Sequence, residues 1–148
     1  MKSATDPARS STLLLDTHVL VWSLEEGPRL GVSAKKVLNE AARQSRIAIS
    51  AITPWEIALL VSKERLQLGA DVMVWVRDAL AKPGVRLVTL DPEIAVASTR
   101  IPFEMHADPA DRILVATVRQ LGATLVTADR ALLDLAAKGY IRALDAEQ

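Results

Sequence analysis

Four short acidic blocks carry the chemistry that this sequence could do. Asp16 closes the run Leu13-Leu14-Leu15-Asp16-Thr17-His18, and Glu56 stands in Ser50-Ala51-Ile52-Thr53-Pro54-Trp55-Glu56. Asp108 and Asp111 bracket one another in His106-Ala107-Asp108-Pro109-Ala110-Asp111-Arg112, and Asp129 ends Leu125-Val126-Thr127-Ala128-Asp129. Carboxylates gathered in one place repel each other unless a cation sits among them. Oxygen-only ligation selects a hard cation, Mg²⁺ or Mn²⁺. Helix N-terminal dipoles would help keep such acids ionised at neutral pH. A metal so held polarises a phosphoryl group and lowers the pKa of a bound water, which is the chemistry of phosphodiester hydrolysis. With no cysteine in the chain, a thiolate zinc site, a cysteine nucleophile and a disulfide scaffold are all excluded.

The elements that must position these acids follow from apolar patterning. Leu13–Leu15, Ile47–Ile49, Val85–Leu90, Thr124–Thr127 and Ile141–Leu144 are short, branched, continuous apolar runs, and they read as strands. Between them, helical period predicts helices over Ser33–Gln44, Pro54–Lys63, Asp71–Leu80, Pro109–Gln120 and Arg130–Lys138, the last two stopping at Gly122 and Gly139. Continuous strands alternating with helices predict an α/β domain with a central parallel sheet of about five strands covered on both faces. In such a sheet, ligands bind beyond the carboxyl ends of the strands. Asp16, Glu56 and Asp129 fall at that edge, and Asp111 joins them if its helix begins there.

Each acid also has a plainer reading as a helix cap. Thr53 to Glu56 has the form of a capping box with Pro54 at the first helical position. Asp108 before Pro109 has the form of an N-cap, and Asp129 could cap the helix that follows it. Asp16 resists this reading more, because Thr17 could cap equally well. Asp6-Pro7 and Asp91-Pro92 show how readily an Asp-Pro pair arises in this chain. His18 and His106 are read as structural or supporting the acids, not as ligands. Trp22, Trp55 and Trp75 are expected to pack in the core.

Composition sets the outer limits. The chain has 148 residues, enough for one domain with a real core. Its 18 basic and 18 acidic side chains cancel, so a polyanionic partner must be met by a local patch. Lys63, Arg65, Arg112 and Arg130 could line such an approach. Residues 1–12 read as a flexible arm preceding a domain over 13–148. No apolar run approaches the ~20 residues of a membrane span, and no signal core is present, so the cytoplasm is the expected compartment.

The four blocks, in this order and at this spacing, resemble the PIN domain, and more narrowly the VapC-type ribonuclease toxins of bacterial toxin–antitoxin pairs. The resemblance runs from about Leu13 to Leu144. It implies Asp16, Glu56 and Asp111 as metal ligands, with Asp129 a fourth acid reaching the metal or its water shell. It makes Thr127 the residue that orients that acid or a water, with Thr17 and Arg112 as further supporting residues. It implies Mg²⁺, with Mn²⁺ as a substitute, an RNA substrate cut to 5′-phosphate and 3′-hydroxyl ends, a homodimer, and a small antitoxin with a DNA-binding portion. Val61, Val72, Val74 and Trp75 offer more apolar side chains than one helix face needs, which suits a dimer. One position departs from the pattern: relatives often carry Lys four residues after the Glu, and here that residue is Leu60. The alternatives are a receiver-like Mg²⁺-binding signalling domain and an inactive PIN-type binding module. Against the first, Asp16 stands without a second acid, and no late strand ends in Lys; against the second, all four acids are present.

Overall fold

The computed structural model of the chain describes residues 11–148, so the expected arm lies outside the described residues except for Ser11 and Thr12, and Asp6-Pro7 lies outside them altogether. Five strands form one sheet: β1 (Leu13–Leu15), β2 (Ile47–Ser50), β3 (Val85–Val88), β4 (Thr124–Thr127) and β5 (Arg142–Asp145). Among the described residues seven helices connect them: α1 (Thr17–Leu24), α2 (Val32–Arg43), α3 (Ile52–Ser62), α4 (Val72–Leu80), α5 (Pro92–Ala97), α6 (Pro109–Leu121) and α7 (Arg130–Ala137). Every strand pairing is parallel, in the order β3-β2-β1-β4-β5. This is the parallel sheet that the continuous apolar runs predict. No helix among the described residues is long and apolar enough to cross a membrane.

Strand alternation divides the core into two layers. Leu13, Leu15, Ile47, Ile49 and Val126 point into one, against Val19, Leu38 and Trp75. Leu14, Ala48 and Leu125 point into the other, against Leu114, Val118, Leu132 and Ile94. Order β2-β1-β4 makes the gap between β1 and β4 the switch point, where the chain leaves in opposite directions. A crevice opens there beyond the strand ends.

Several local expectations need correction. Helix α3 begins two residues earlier than expected, with Ala51 as its N-cap and no side-chain cap. The Thr53–Glu56 capping box therefore does not form: Thr53 lies inside the helix, buried, its hydroxyl without a partner. Ser50 Oγ instead accepts the Ile52 N–H at 3.1 Å. The pair Asp91-Pro92, read above as incidental, opens α5, with Asp91 Oδ1 accepting the Ile94 N–H at 2.8 Å. A six-residue helix whose single buried side chain is Ile94 is too short to show a period. Gly122 ends α6 in the left-handed region (φ 63°), as its position predicts. Of the apolar residues reserved for a dimer, Trp75 is buried, and Val61 and Val72 pack against the core. Val74 is the exposed one, at 52%.

Candidate active site

Asp16 leaves β1 directly into the crevice, and the backbone holds it there. Its N–H donates to Val126 O (3.0 Å), and its carbonyl accepts from Leu20 N (3.1 Å) as α1 begins. Its side chain is 9% exposed, with both oxygens satisfied. Oδ1 accepts the Thr17 N–H at 2.7 Å, and Oδ2 accepts the Thr127 hydroxyl at 2.6 Å. Asp16 is thus itself the N-cap of α1. Burial pushes its carboxyl above the usual range, opposed by those two hydrogen bonds.

Glu56 sits in α3, where the Thr17 hydroxyl donates to its Oε1. One threonine therefore ties the first acid to the second, its N–H on Asp16 and its hydroxyl on Glu56. Burial raises the Glu56 carboxyl, and the Asp16 and Asp108 charges raise it further. Asp111, in the first turn of α6, meets His106 Nε2 through Oδ2 at 2.7 Å. Its side chain is 14% exposed, and burial pushes it up to about 6, with the charges of Asp16, Asp108 and Asp129 adding to the rise.

Asp129 is exposed and caps α7, its Oδ1 accepting from Ala131 N (2.8 Å) and Leu132 N (3.1 Å). Asp108 caps α6, its Oδ1 accepting from Ala110 N (2.9 Å) and Asp111 N (3.2 Å). Both capping readings describe real bonds, yet both acids remain close enough to push on Asp111. The four sequence-marked acids and Asp108 thus share one field at the strand ends.

Three assignments change. Thr127 does not orient the Asp129 carboxylate: its hydroxyl donates to Asp16 and accepts the Asp129 N–H at 3.0 Å. The reason is sheet order, which lays β4 beside β1. Arg112 is engaged by backbone carbonyls and not by a carboxylate. Its Nε donates to Ser98 O at 3.0 Å and its Nη1 to His106 O at 3.4 Å, so it braces the loop that carries His106. Trp55 is not core: it is 54% exposed beside Glu56, whereas Trp75 is buried and Trp22 packs against the core. The sequence reading gave Thr17 and His106 supporting roles but not their partners, Glu56 and Asp111. A hydroxyl residue directly after an acid at a strand end was the available signal for the first.

The donor set fits a hard divalent cation. All four groups are carboxylates, and three are raised by burial with mutual repulsion added. That is the electrostatic state a cation relieves. Among the described residues no three acidic or histidine side chains stand as a ready-made metal cage. The departure at Leu60 also has a place. Leu60 lines a groove with Glu56, Lys63 and Arg65, so the cations in this region come from the end of α3 and the residues just after it.

Comparison with known proteins agrees with this geometry. The PIN domain family matches residues 13–138. Ribonuclease VapC22 of Mycobacterium tuberculosis is 38% identical over 122 residues, 82% of this chain and 90% of that protein. Among solved structures, the DNA-bound VapBC of Salmonella typhimurium superposes with TM-score 0.63 at 20% identity, over 91% of this chain and 98% of the matched one. A toxin–antitoxin complex from Klebsiella pneumoniae does so with TM-score 0.59 at 21% identity, over the same shares. Sheet order, acidic crevice and sequence match lead to one conclusion: the chain belongs to the PIN domain family.

Proposed function

We propose that this protein is a metal-dependent endoribonuclease, the toxin of a toxin–antitoxin pair, that hydrolyses RNA phosphodiester bonds. The observation that carries the reading is the convergence of Asp16, Glu56, Asp111 and Asp129 at the β1/β4 switch point. The 38% identical relative named a ribonuclease supports the activity. The toxin–antitoxin complex among the structural neighbours supports an antitoxin as partner. Asp16, Glu56 and Asp111 would hold Mg²⁺ or Mn²⁺, with Asp129 at the edge of the set. When bound, that ion supplies charge neutralisation at the phosphate and a more acidic water.

The chain's own residues do the rest. Thr17 and Thr127 fix the Asp16 and Glu56 oxygens through the hydrogen bonds they donate. His106 holds Asp111 Oδ2 within the set, and the proton of the attacking water passes to one of these carboxylates. The water oxygen bonds to phosphorus as the bond to the 3′ oxygen breaks, leaving a 5′-phosphate and, after protonation, a 3′-hydroxyl.

A receiver-like domain would transfer phosphate to one aspartate and cut nothing. Incubating RNA with the protein and Mn²⁺ separates the readings: wild type should cleave, and Asp16→Asn should not while remaining folded. An Asp16→Asn variant that cleaves like wild type would overturn the proposal.

A further inference from the structure

Helix α3 presents a second feature beside the acids. Trp55, Leu59 and Lys63 follow each other at four-residue steps, so they form one row along the helix and its C-cap. They line a groove of about 310 Å³ together with Glu56, Leu60, Arg65, Asp108, Pro109 and Ala110. Its volume lies at the lower end of the ~300–1,000 Å³ range of small-ligand pockets. The groove has two ends of opposite charge. Glu56 and Asp108 stand at one, Lys63 and Arg65 at the other, about 10 Å of helix apart. Neither Lys63 nor Arg65 has a carboxylate partner among the described residues, although both are exposed. At the acidic end, next to Glu56, stands the Trp55 indole, 54% exposed and the most exposed Trp, Tyr or Phe among the described residues.

We infer that this groove is the site where the RNA strand beside the cleaved bond is held, one base stacked on Trp55 at the acidic end and a phosphate further along the strand on Lys63 and Arg65. The inference rests on the ribonuclease reading and adds to it the residues that grip the substrate. An exposed indole that shares a groove with unpaired cations suits a single strand, because every base has a π-face and every nucleotide a phosphate. The polarity of the groove also sets a direction. Phosphate is repelled from the Glu56 end unless a cation is present there, and attracted to the Lys63 end regardless. Trp55 thus holds a base next to the acids, and the strand runs on from there toward Lys63 and Arg65.

The test compares wild type with Trp55→Ala, Trp55→Phe and Lys63→Ala/Arg65→Ala in the full chain. Two measurements are made. One is anisotropy of fluorescein-labelled single-stranded RNA in Ca²⁺; the other is KM and kcat for cleavage in Mn²⁺. Trp55→Ala should weaken binding about 5- to 150-fold, the range for losing one base–aromatic stack. KM should rise in parallel while kcat at saturating RNA changes little. Trp55→Phe should recover most of the affinity, which a purely structural role of the indole would not require. The double variant should lower the salt dependence of binding by about 1.4 in the log–log slope, ~0.7 per lost phosphate contact. If wild type cleaves and both Trp55→Ala and the double variant bind RNA like wild type, this inference falls and the ribonuclease reading stands. If Trp55→Ala spares RNA binding but weakens the hold on a protein partner, the groove is a protein interface and the inference is likewise overturned. If wild type neither binds nor cleaves RNA, the ribonuclease reading itself has failed.

Discussion

Replacing Asp111 by Asn should make the metal-free protein more stable at neutral and alkaline pH. Asn keeps the shape and can still accept from His106 Nε2, so the change removes a charge and little else. Burial and the charges of Asp16, Asp108 and Asp129 push the Asp111 carboxyl from 3.8 to about 6. The native state therefore favours the protonated acid. The stability that this form contributes is complete below 3.8 and lost as pH rises through about 6. At about 1.36 kcal/mol per pKa unit, the ionised carboxylate costs about 3 kcal/mol at pH 8. The same linkage gives about 1.6 kcal/mol at pH 5 and about 0.6 at pH 4. Residual solvent contact screens the charge, which trims the expected gain at pH 8 to about 2–3 kcal/mol. Urea denaturation in chelator at about pH 8, 5 and 4 measures it. Asn should be the more stable form at pH 8, and the gap should close toward pH 4. Saturating Mn²⁺ should then stabilise wild type far more than the variant, because bound ligand adds stability only where it binds. An Asn variant less stable than wild type at pH 8 in chelator would refute the claim that these acids strain one another. A gap independent of pH would refute it equally.

Two further outcomes follow from the hydrogen bonds. Thr127→Val removes the donor to Asp16 Oδ2 and the acceptor of the Asp129 N–H without changing shape, so at pH 8 it should cost about 1.5–3 kcal/mol and raise the Asp16 pKa further; Thr127→Ser should restore most of both, measured by denaturation and by calorimetric Mn²⁺ titration. Asp108→Asn should leave stability and cleavage nearly unchanged because Asn caps as well, whereas Asp108→Ala should cost about 0.5–2 kcal/mol in thermal melts while metal still binds.

Much of the active region was legible in the order of residues. Parallel strands buried on both faces must be continuous apolar runs, so the ends of β1 and β4 were visible, and with them Asp16 and Asp129. Asp108 before Pro109 marked its helix start for the same local reason. Which atoms those acids touch was a different matter. The Thr127–Asp16 bond joins residues 111 apart and exists because β4 lies beside β1, a neighbour relation that no local pattern encodes. Thr17 reaches Glu56 across 39 residues for a similar reason, since the crevice brings α1 and α3 together. Trp55 was misread because α3 carries apolar residues around its whole circumference, so hydrophobic period could not say which side faces water. Periodicity reports a side chain's character relative to its own helix axis. Only the packing of α3 against the sheet and α6 decides which of those side chains is left to meet solvent.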